Sequence, residues 1–297
     1  MRALAIVNPV AGRGRATRVW EHVRREVAGV RGWECVTSQR AGHARELAHS
    51  AAGAGYECVV AVGGDGTVCE VASGVAHTMT ALASIPAGTG NDSARNLGIP
   101  SHPLAAARLV LQGKPRRIDV GEIRTPHAAS CFVNVAGFGF DAEVAWRVNR
   151  IPRVVGGTVP YVAGVLQTLW RYRSPRVRIN LGGADEERLV DRQAFLVAVA
   201  NGASYGGGML IAPEARPDDG LFDLCLVGDV TRLEVLRLIP RLYSGGHRHH
   251  PSVEFFRCRE LTADADQQVR CHADGELVGY LPASFRLYPG GLLCVAG

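Results

Sequence analysis

The chain has 297 residues, 47% hydrophobic and 21% charged, with a formal net charge of +5. That length is long for one core and comfortable for two, and the composition is ordinary for a soluble globular protein. Lys114 is the only lysine and follows no glycine-rich turn, which excludes a phosphate loop of the Walker type, because such a loop carries its lysine directly after the glycines.

The first part alternates strand and helix. Residues 2–7 read as a buried strand, and Thr17 to about Val27 as an arginine-rich amphipathic helix. Strands follow at Trp33 to Thr37, at 57–62 and at Leu82 to Ile85, with helices at His43 to about Ala52 and Val68 to His77 between them. Ser93 to Leu97 is a short helix stopped by Gly98 and Pro100, and Leu104 to Leu111 is another. Such repetition predicts an α/β domain with a parallel sheet and helices on both faces, binding ligands beyond the carboxyl ends of its strands. After Lys114 the texture changes. Ile118 to Ile123, Ala129 to Val135, Arg176 to Leu181, Gln193 to Ala200, Leu221 to Val227 and later runs read as strands of a C-terminal β-sandwich or barrel-like sheet. Gly182 to Asp185 reads as a hairpin turn, and Val159 to Arg171 (with Tyr161, Leu166, Leu169 and Trp170) and Thr231 to Tyr243 as two amphipathic helices that pack as core or line a lipid-access groove.

The eight cysteines show no metal spacing and several lie in apolar runs, so they read as reduced thiols of a cytoplasmic protein. A strand begins directly after Met1, so no signal peptide is expected. No apolar stretch reaches the length of a membrane span, so any action on lipid is expected from the membrane surface.

The most informative feature is Gly63-Gly64-Asp65-Gly66-Thr67 after the apolar run Cys58 to Val62. Glycines let backbone N–H groups approach phosphate oxygens, Asp65 can hold Mg²⁺ or its waters, and Thr67 adds a hydroxyl at the start of a helix. Pro86 to Asp92 forms a second turn at the same edge, with Gly88, Thr89, Asn91 and Asp92. If it meets the first, Asp65 and Asp92 make a site for a hard cation, although Asp92 also suits a helix N-cap. Asn8-Pro9 and Gly12 form a third turn at this edge, and Asp119 offers a further carboxylate or is a plain strand-end aspartate. In the second half, Asp219 lies in a turn whose carbonyls can join a metal site, or in a plain Asp-Gly turn. Asp274-Gly275-Glu276 can place one carboxylate as a general base and the other as its partner, or is a hairpin turn.

This ordered set, with Asn201-Gly202 and Gly206 to Met209 between its members, resembles the diacylglycerol kinase catalytic family, which includes soluble bacterial diacylglycerol kinases and sphingosine and ceramide kinases. The resemblance implies an N-terminal α/β nucleotide domain like those of phosphofructokinases and NAD kinases, and a C-terminal β-sandwich. On it, residues 1–120 are the nucleotide domain, 121–284 the lipid-substrate domain, and the chain end from about 285 returns to the first. ATP contacts are implied for Asn8, Pro9, Gly12, Thr37, Gly63, Gly64, Asp65, Gly66, Thr67, Glu70, Gly88, Thr89 and Asn91. Catalytic Mg²⁺ is implied at Asp65, Asp92 and Asp119, largely through water. A structural Mg²⁺ is implied at Asp219 with the carbonyls of Arg216 and Leu221. Asp274 or Glu276 is implied as the base for the lipid hydroxyl. Cys69, where asparagine is common, and Ser93, where an aromatic is usual, depart from the pattern, and Arg216 replaces a common lysine.

The expected activity is Mg-dependent transfer of the γ-phosphoryl group of ATP to a lipid hydroxyl, diacylglycerol first, at a membrane surface and with no nucleic acid partner. A sphingoid base or another lipid, NAD, or a non-catalytic nucleotide- or lipid-binding role are the alternatives. The oligomeric state stays open, with a homodimer among the choices.

Overall fold

The computed structural model describes residues 1–27, 32–149, 158–183 and 187–297. The first half contains β1 (Ala3–Val7), α1 (Arg15–Val27), β2 (Trp33–Thr37), α2 (His43–Gly53), β3 (Cys58–Gly63), α3 (Asp65–Val75), β4 (Ala81–Pro86), α4 (Asp92–Asn96) and α5 (Pro103–Gln112). The four strands run parallel in the order β2, β1, β3, β4. Alternating residues of β3 explain the layers. Val59 and Ala61 pack with Ala44, Ala48 and Val71 of α2 and α3, while Cys58, Val60 and Val62 pack with Trp20, Val23 and Val110 of α1 and α5. Both faces of the sheet are covered, so its strands are apolar throughout. Register aligns Val7 with Thr37 and Val62, and Gly63 with Pro86, which brings the three glycine-bearing turns to one edge.

The second half begins with β5 (Pro115–Arg124), β6 (Ala129–Phe132), β7 (Val135–Gly139), α6 (Phe140–Asn149) and α7 (Thr158–Arg171). It continues with β8 (Arg176–Gly182), β9 (Arg188–Ala200), β10 (Phe222–Gly228), α8 (Arg232–Leu242), β11 (Val253–Cys258), β12 (Glu260–Ala265), β13 (Arg270–Ala273), β14 (Glu276–Tyr280) and β15 (Ala283–Val295). Apart from the single parallel contact of β15 with β4, its pairings are antiparallel. Strand β9 pairs with β8 through its first half and with β7 and β10 through its second, so it belongs to both layers of a β-sandwich. Between the layers lie Phe132, Phe138, Phe222 and Phe285, with Phe132 and Phe222 stacked 5.5 Å apart. A second apolar cluster, including Phe140, Leu169, Phe195, Ile211 and Val235, sits between the β7–β9–β10 layer and the helices α6 to α8.

Three expectations change. The run Ala129 to Val135 is two strands, because the backbone at Val133 and Asn134 turns aside to donate hydrogen bonds to Asp274. Helix α6 was not expected. Residues 143–147 are all half-buried, so the segment has no clean apolar face to reveal it. Helix α3 begins at Asp65 rather than Val68, which puts Thr67 in its first turn. The expected division at residue 120 falls inside β5, which pairs along β15, and Cys294 of β15 pairs in parallel with Leu82 of β4. A continuous sheet therefore joins the halves. The Gly182–Asp185 turn and the Tyr161 side chain lie partly or wholly outside the described residues, though β8 and β9 do pair antiparallel.

Candidate active site

A side chain ties the Asn8 turn to the Gly63–Thr67 turn. Asn8 Nδ2 donates to Thr67 Oγ1 at 3.0 Å, and Asn8 Oδ1 accepts from Val10 N–H. Asn91, at φ 52°, closes its own loop by accepting from Gly88 N–H at 3.0 Å and donating to Gly88 O at 3.2 Å. The backbones of Gly64 and Gly88 touch: a β-carbon on Gly88 would stand 2.5 Å from Gly64 Cα. A side chain at Gly88 is excluded, and one at Gly64 would press on Gly88 Cα at 3.1 Å, so the result is a cradle of nearly bare backbone at the N-terminus of α3, where helix N–H groups favour anions. Pro9, Gly12, Gly63, Gly66, Thr67 and the exposed Thr89 lie around this edge, with Thr37 exposed at the end of β2. Glu70 has a different task. Its two oxygens accept from Gly42 and Ala44 N–H at 2.9 and 3.0 Å, which holds the start of α2.

Asp65 and Asp92 come together. A β-carbon on Gly90 would lie 3.0 Å from Asp65 Oδ2 and 3.3 Å from Asp92 Oδ2. Asp65 Oδ1 accepts from Ser93 N–H at 2.8 Å. Asp92 is the first residue of α4, after the N-cap Asn91, so it is not the cap. It is buried, accepts from Gly207 and Gly208 N–H at 2.6 and 2.7 Å, and pairs with Arg95. Asp92 thereby fastens the Gly206–Gly208 loop over the first half. Asp65 is the more accessible of the two. One or two carboxylates completed by water and phosphate oxygens is the donor set Mg²⁺ prefers, and among the described residues no three acidic, His or Cys side chains converge as a ready ligand set.

Asp274 joins this group from β13–β14. Its backbone is left-handed at φ 47°, and its carboxylate accepts from Val133, Asn134 and Val135 N–H at 2.9, 3.0 and 3.0 Å. Burial pushes its pKa from the ordinary 3.8 up to about 6; the three N–H donors oppose this and nearby negative Asp65 adds to it. Glu276 is exposed, with Oε1 3.7 Å from where a β-carbon of Gly66 would sit, so it faces the start of α3.

Sequence reasoning missed the polar network behind these carboxylates. Asn134 Nδ2 donates to Ser93 Oγ at 3.0 Å, Asn96 Nδ2 donates to Asn134 Oδ1 and Ser204 O, and Asn134 O accepts from Asn201 and Gly202 N–H. Ser93 therefore serves as a link between the halves, a task for a hydroxyl. The available signal was Asn134, an amide inside the apolar run Cys131 to Phe138. Cys69 is buried, with Sγ 3.5 Å from Cys131 O, and packs rather than binding.

Asp119 does not join Asp65 and Asp92 in a shared contact. It is buried, and its oxygens accept from Gly290 and Gly220 N–H, both at 2.7 Å. Burial raises its pKa, those hydrogen bonds lower it, and Asp219 and Asp218 raise it further. Here Asp219 is paired with Arg257, whose Nε also lies 3.5 Å from Asp223 Oδ1, and Asp218 is bonded to Arg116. Arg257 thus supplies positive charge to Asp219, the side chain that a divalent cation at Asp219, Arg216 and Leu221 would use.

A cavity of about 870 Å³ opens from the carboxylates into the second apolar cluster. Asp65, Asp92, Asn134 and Asp274 stand at one end, and Phe195, Leu196, Ile211, Val227, Val253 and Leu238 line the other. His272, buried, bonds Asp141 through Nε2 at 3.0 Å and also borders the cavity.

Residues 2–123 match the family model of the diacylglycerol kinase catalytic domain, and residues 134–296 that of the YegS C-terminal NAD kinase beta sandwich-like domain. The chain is 34% identical to the diacylglycerol kinase of Mycobacterium tuberculosis, over 98% of this chain and 94% of that protein. It is 30% identical to the diacylglycerol kinase of Bacillus subtilis, over 96% and 92%. Among solved structures, a diacylglycerol kinase from Bacillus anthracis superposes with a TM-score of 0.74 at 20% identity, covering 100% of this chain and 97% of that one. Yeast NADH kinase complexed with NADH gives 0.54 at 12%, covering 100% and 84%. The structural likenesses bear on the fold, an α/β domain joined to a β-sandwich. With nearly full-length identity above 30% and both family models matched, the chain belongs to the diacylglycerol kinase family.

Proposed function

We propose that the protein is an ATP- and Mg²⁺-dependent lipid kinase that phosphorylates diacylglycerol to phosphatidic acid at a membrane surface. The observation that carries this reading is the apolar cavity of about 870 Å³ whose polar end is Asp65, Asp92 and Asp274. A cavity of this size and lining suits acyl chains and holds few groups to satisfy a polar acceptor such as NAD. The names of the relatives point the same way.

When bound, ATP would supply the phosphoryl group and Mg²⁺ would offset its phosphate charge. The Gly64–Gly88 cradle and the N-terminus of α3 would receive the phosphates, and Asp65, with Asp92 beside it, would hold the cation. Asp274 accepts the proton of the lipid hydroxyl. A carboxylate offers about four acceptor positions, and three backbone donors hold Asp274 in place. A pKa of about 6 leaves it charged at neutral pH yet basic enough to take a proton. Asp274, unlike Glu276, borders the cavity.

The test is phosphate transfer from labelled ATP with Mg²⁺ to mixed micelles of diacylglycerol, a sphingoid base and ceramide, with NAD as a further acceptor. Labelled phosphatidic acid is expected. Asp65→Asn, which preserves the acceptor for Ser93 N–H, is expected to lower turnover by roughly 10³-fold with an unchanged melting curve. Label on NAD alone, or full activity in Asp65→Asn, would refute the reading.

A further inference from the structure

The outer face of α8 is unusual for a surface helix. Its exposed residues are Arg232, Leu233, Leu236, Arg237, Pro240 and Arg241, which recur at four-residue spacing and form one stripe. The stripe carries three arginines and no acid. The helix's one acid, Glu234, is only part-exposed and is held by the Thr231 cap, with His250 nearby. Leu233 is 55% exposed and Leu236 41%. Beside them stands Trp170 at the end of α7, 67% exposed, with the Arg232 guanidinium over its ring and bonded to its carbonyl.

The same face is the mouth of the cavity. Leu166, Leu236 and Tyr243 are exposed and also line the cavity, while Val235, Leu238 and Ile239 on the inner side of α8 form its wall. A helix with apolar and arginine residues on its outer face and a lipid-sized cavity against its inner face has the composition of an interfacial helix. Exposed Asp229 precedes α8 in the chain, and exposed Glu214 pairs with Arg248 rather than with an arginine of the stripe.

We propose that α8 and the end of α7 are the membrane-docking surface, and that its occupant is a bilayer rich in anionic lipid. Arginines 232, 237 and 241 contact headgroup phosphates, Leu233 and Trp170 enter the acyl boundary, and the cavity mouth between Leu166, Leu236 and Tyr243 meets the bilayer. Charge complementarity and the shared mouth favour a lipid surface over a second copy of this chain, whose identical face would oppose arginine to arginine.

Flotation of the full chain with vesicles tests this, comparing neutral phosphatidylcholine with the same lipid containing about 30 mol% phosphatidylglycerol. Wild type is expected to float with the anionic vesicles and to be released by high salt. The double variant Arg237→Glu/Arg241→Glu is expected to bind at least roughly tenfold more weakly, since each basic residue near an anionic surface matters by several-fold. Leu233→Ser is expected to weaken binding without changing the salt dependence. All these sites are exposed, so melting curves should coincide. On dispersed short-chain diacylglycerol the double variant is expected to match wild type, and on vesicle substrate to fall with binding. Equal vesicle binding by variant and wild type overturns the proposal, as does wild type that ignores anionic vesicles or self-associates through the arginine face. Absence of turnover on any lipid by either protein overturns the lipid-kinase reading instead, and leaves the vesicle result to be judged by itself.

Discussion

Lowering the pH through 6 tests the role assigned to Asp274. If its ionised carboxylate takes the lipid proton, kcat/KM should fall about tenfold per pH unit below about 6 and level off above it. Asp274→Asn should lose roughly 10²- to 10⁴-fold, or about 3–5 kcal/mol of barrier, and should lose the acid limb with it. Glu276→Gln should keep the limb. Stability gives an independent reading with its own sign. The pKa of Asp274 is 3.8 ordinarily and about 6 in the fold, so the folded state binds the proton more tightly. Its contribution is therefore most favourable below pH 4 and is lost as pH rises to 6, by about 3 kcal/mol for two pH units. Asp223 is also pushed up to about 6, by burial, so wild type alone mixes two groups in one window. The difference between wild type and Asp274→Asn isolates the first. Urea unfolding at pH 4 and pH 7 should show wild type losing about 3 kcal/mol relative to the variant. An acid limb that survives in Asp274→Asn, or a difference that does not change with pH, refutes the argument.

Gly90→Ala puts a methyl group between Asp65 and Asp92, 3.0 and 3.3 Å from their oxygens. It should raise the Mg²⁺ concentration for half-maximal activity by roughly tenfold, about 1.4 kcal/mol, as read from a metal titration of turnover. Val144→Trp, on the half-buried cavity wall, should raise KM for long-chain diacylglycerol by roughly tenfold and spare short-chain substrate; equal effects on both would place the acyl chains elsewhere. Arg257→Gln leaves Asp219 and the buried Asp223 without their cation. It should cost about 1–3 kcal/mol of stability, partly restored by millimolar Mg²⁺, whereas wild type should melt alike with Mg²⁺ or a chelator.

Local chemistry made much of this protein readable from its residues. The apolar runs at β1, β3 and β4 and the helix patterns between them specify a buried parallel sheet, since only a strand covered on both faces is apolar at every position. Turns such as Gly63 to Thr67 identify themselves because close backbone approach and phosphate binding both demand residues without side chains. Order along the chain was enough to indicate the family. What the carboxylates do was decided by distant contacts. Nothing near Asp92 in sequence foretells that it binds the amides of Gly207 and Gly208, nor near Asp119 that it binds those of Gly220 and Gly290. Glu70 and Asp274 likewise meet backbone 26 to 28 and 139 to 141 residues away. A carboxylate satisfied by backbone amides reads in sequence like one that is waiting for a metal. The cavity was illegible for the same reason, because it exists only where α6, α7 and α8 close against β9 and β10, and no one segment contains it.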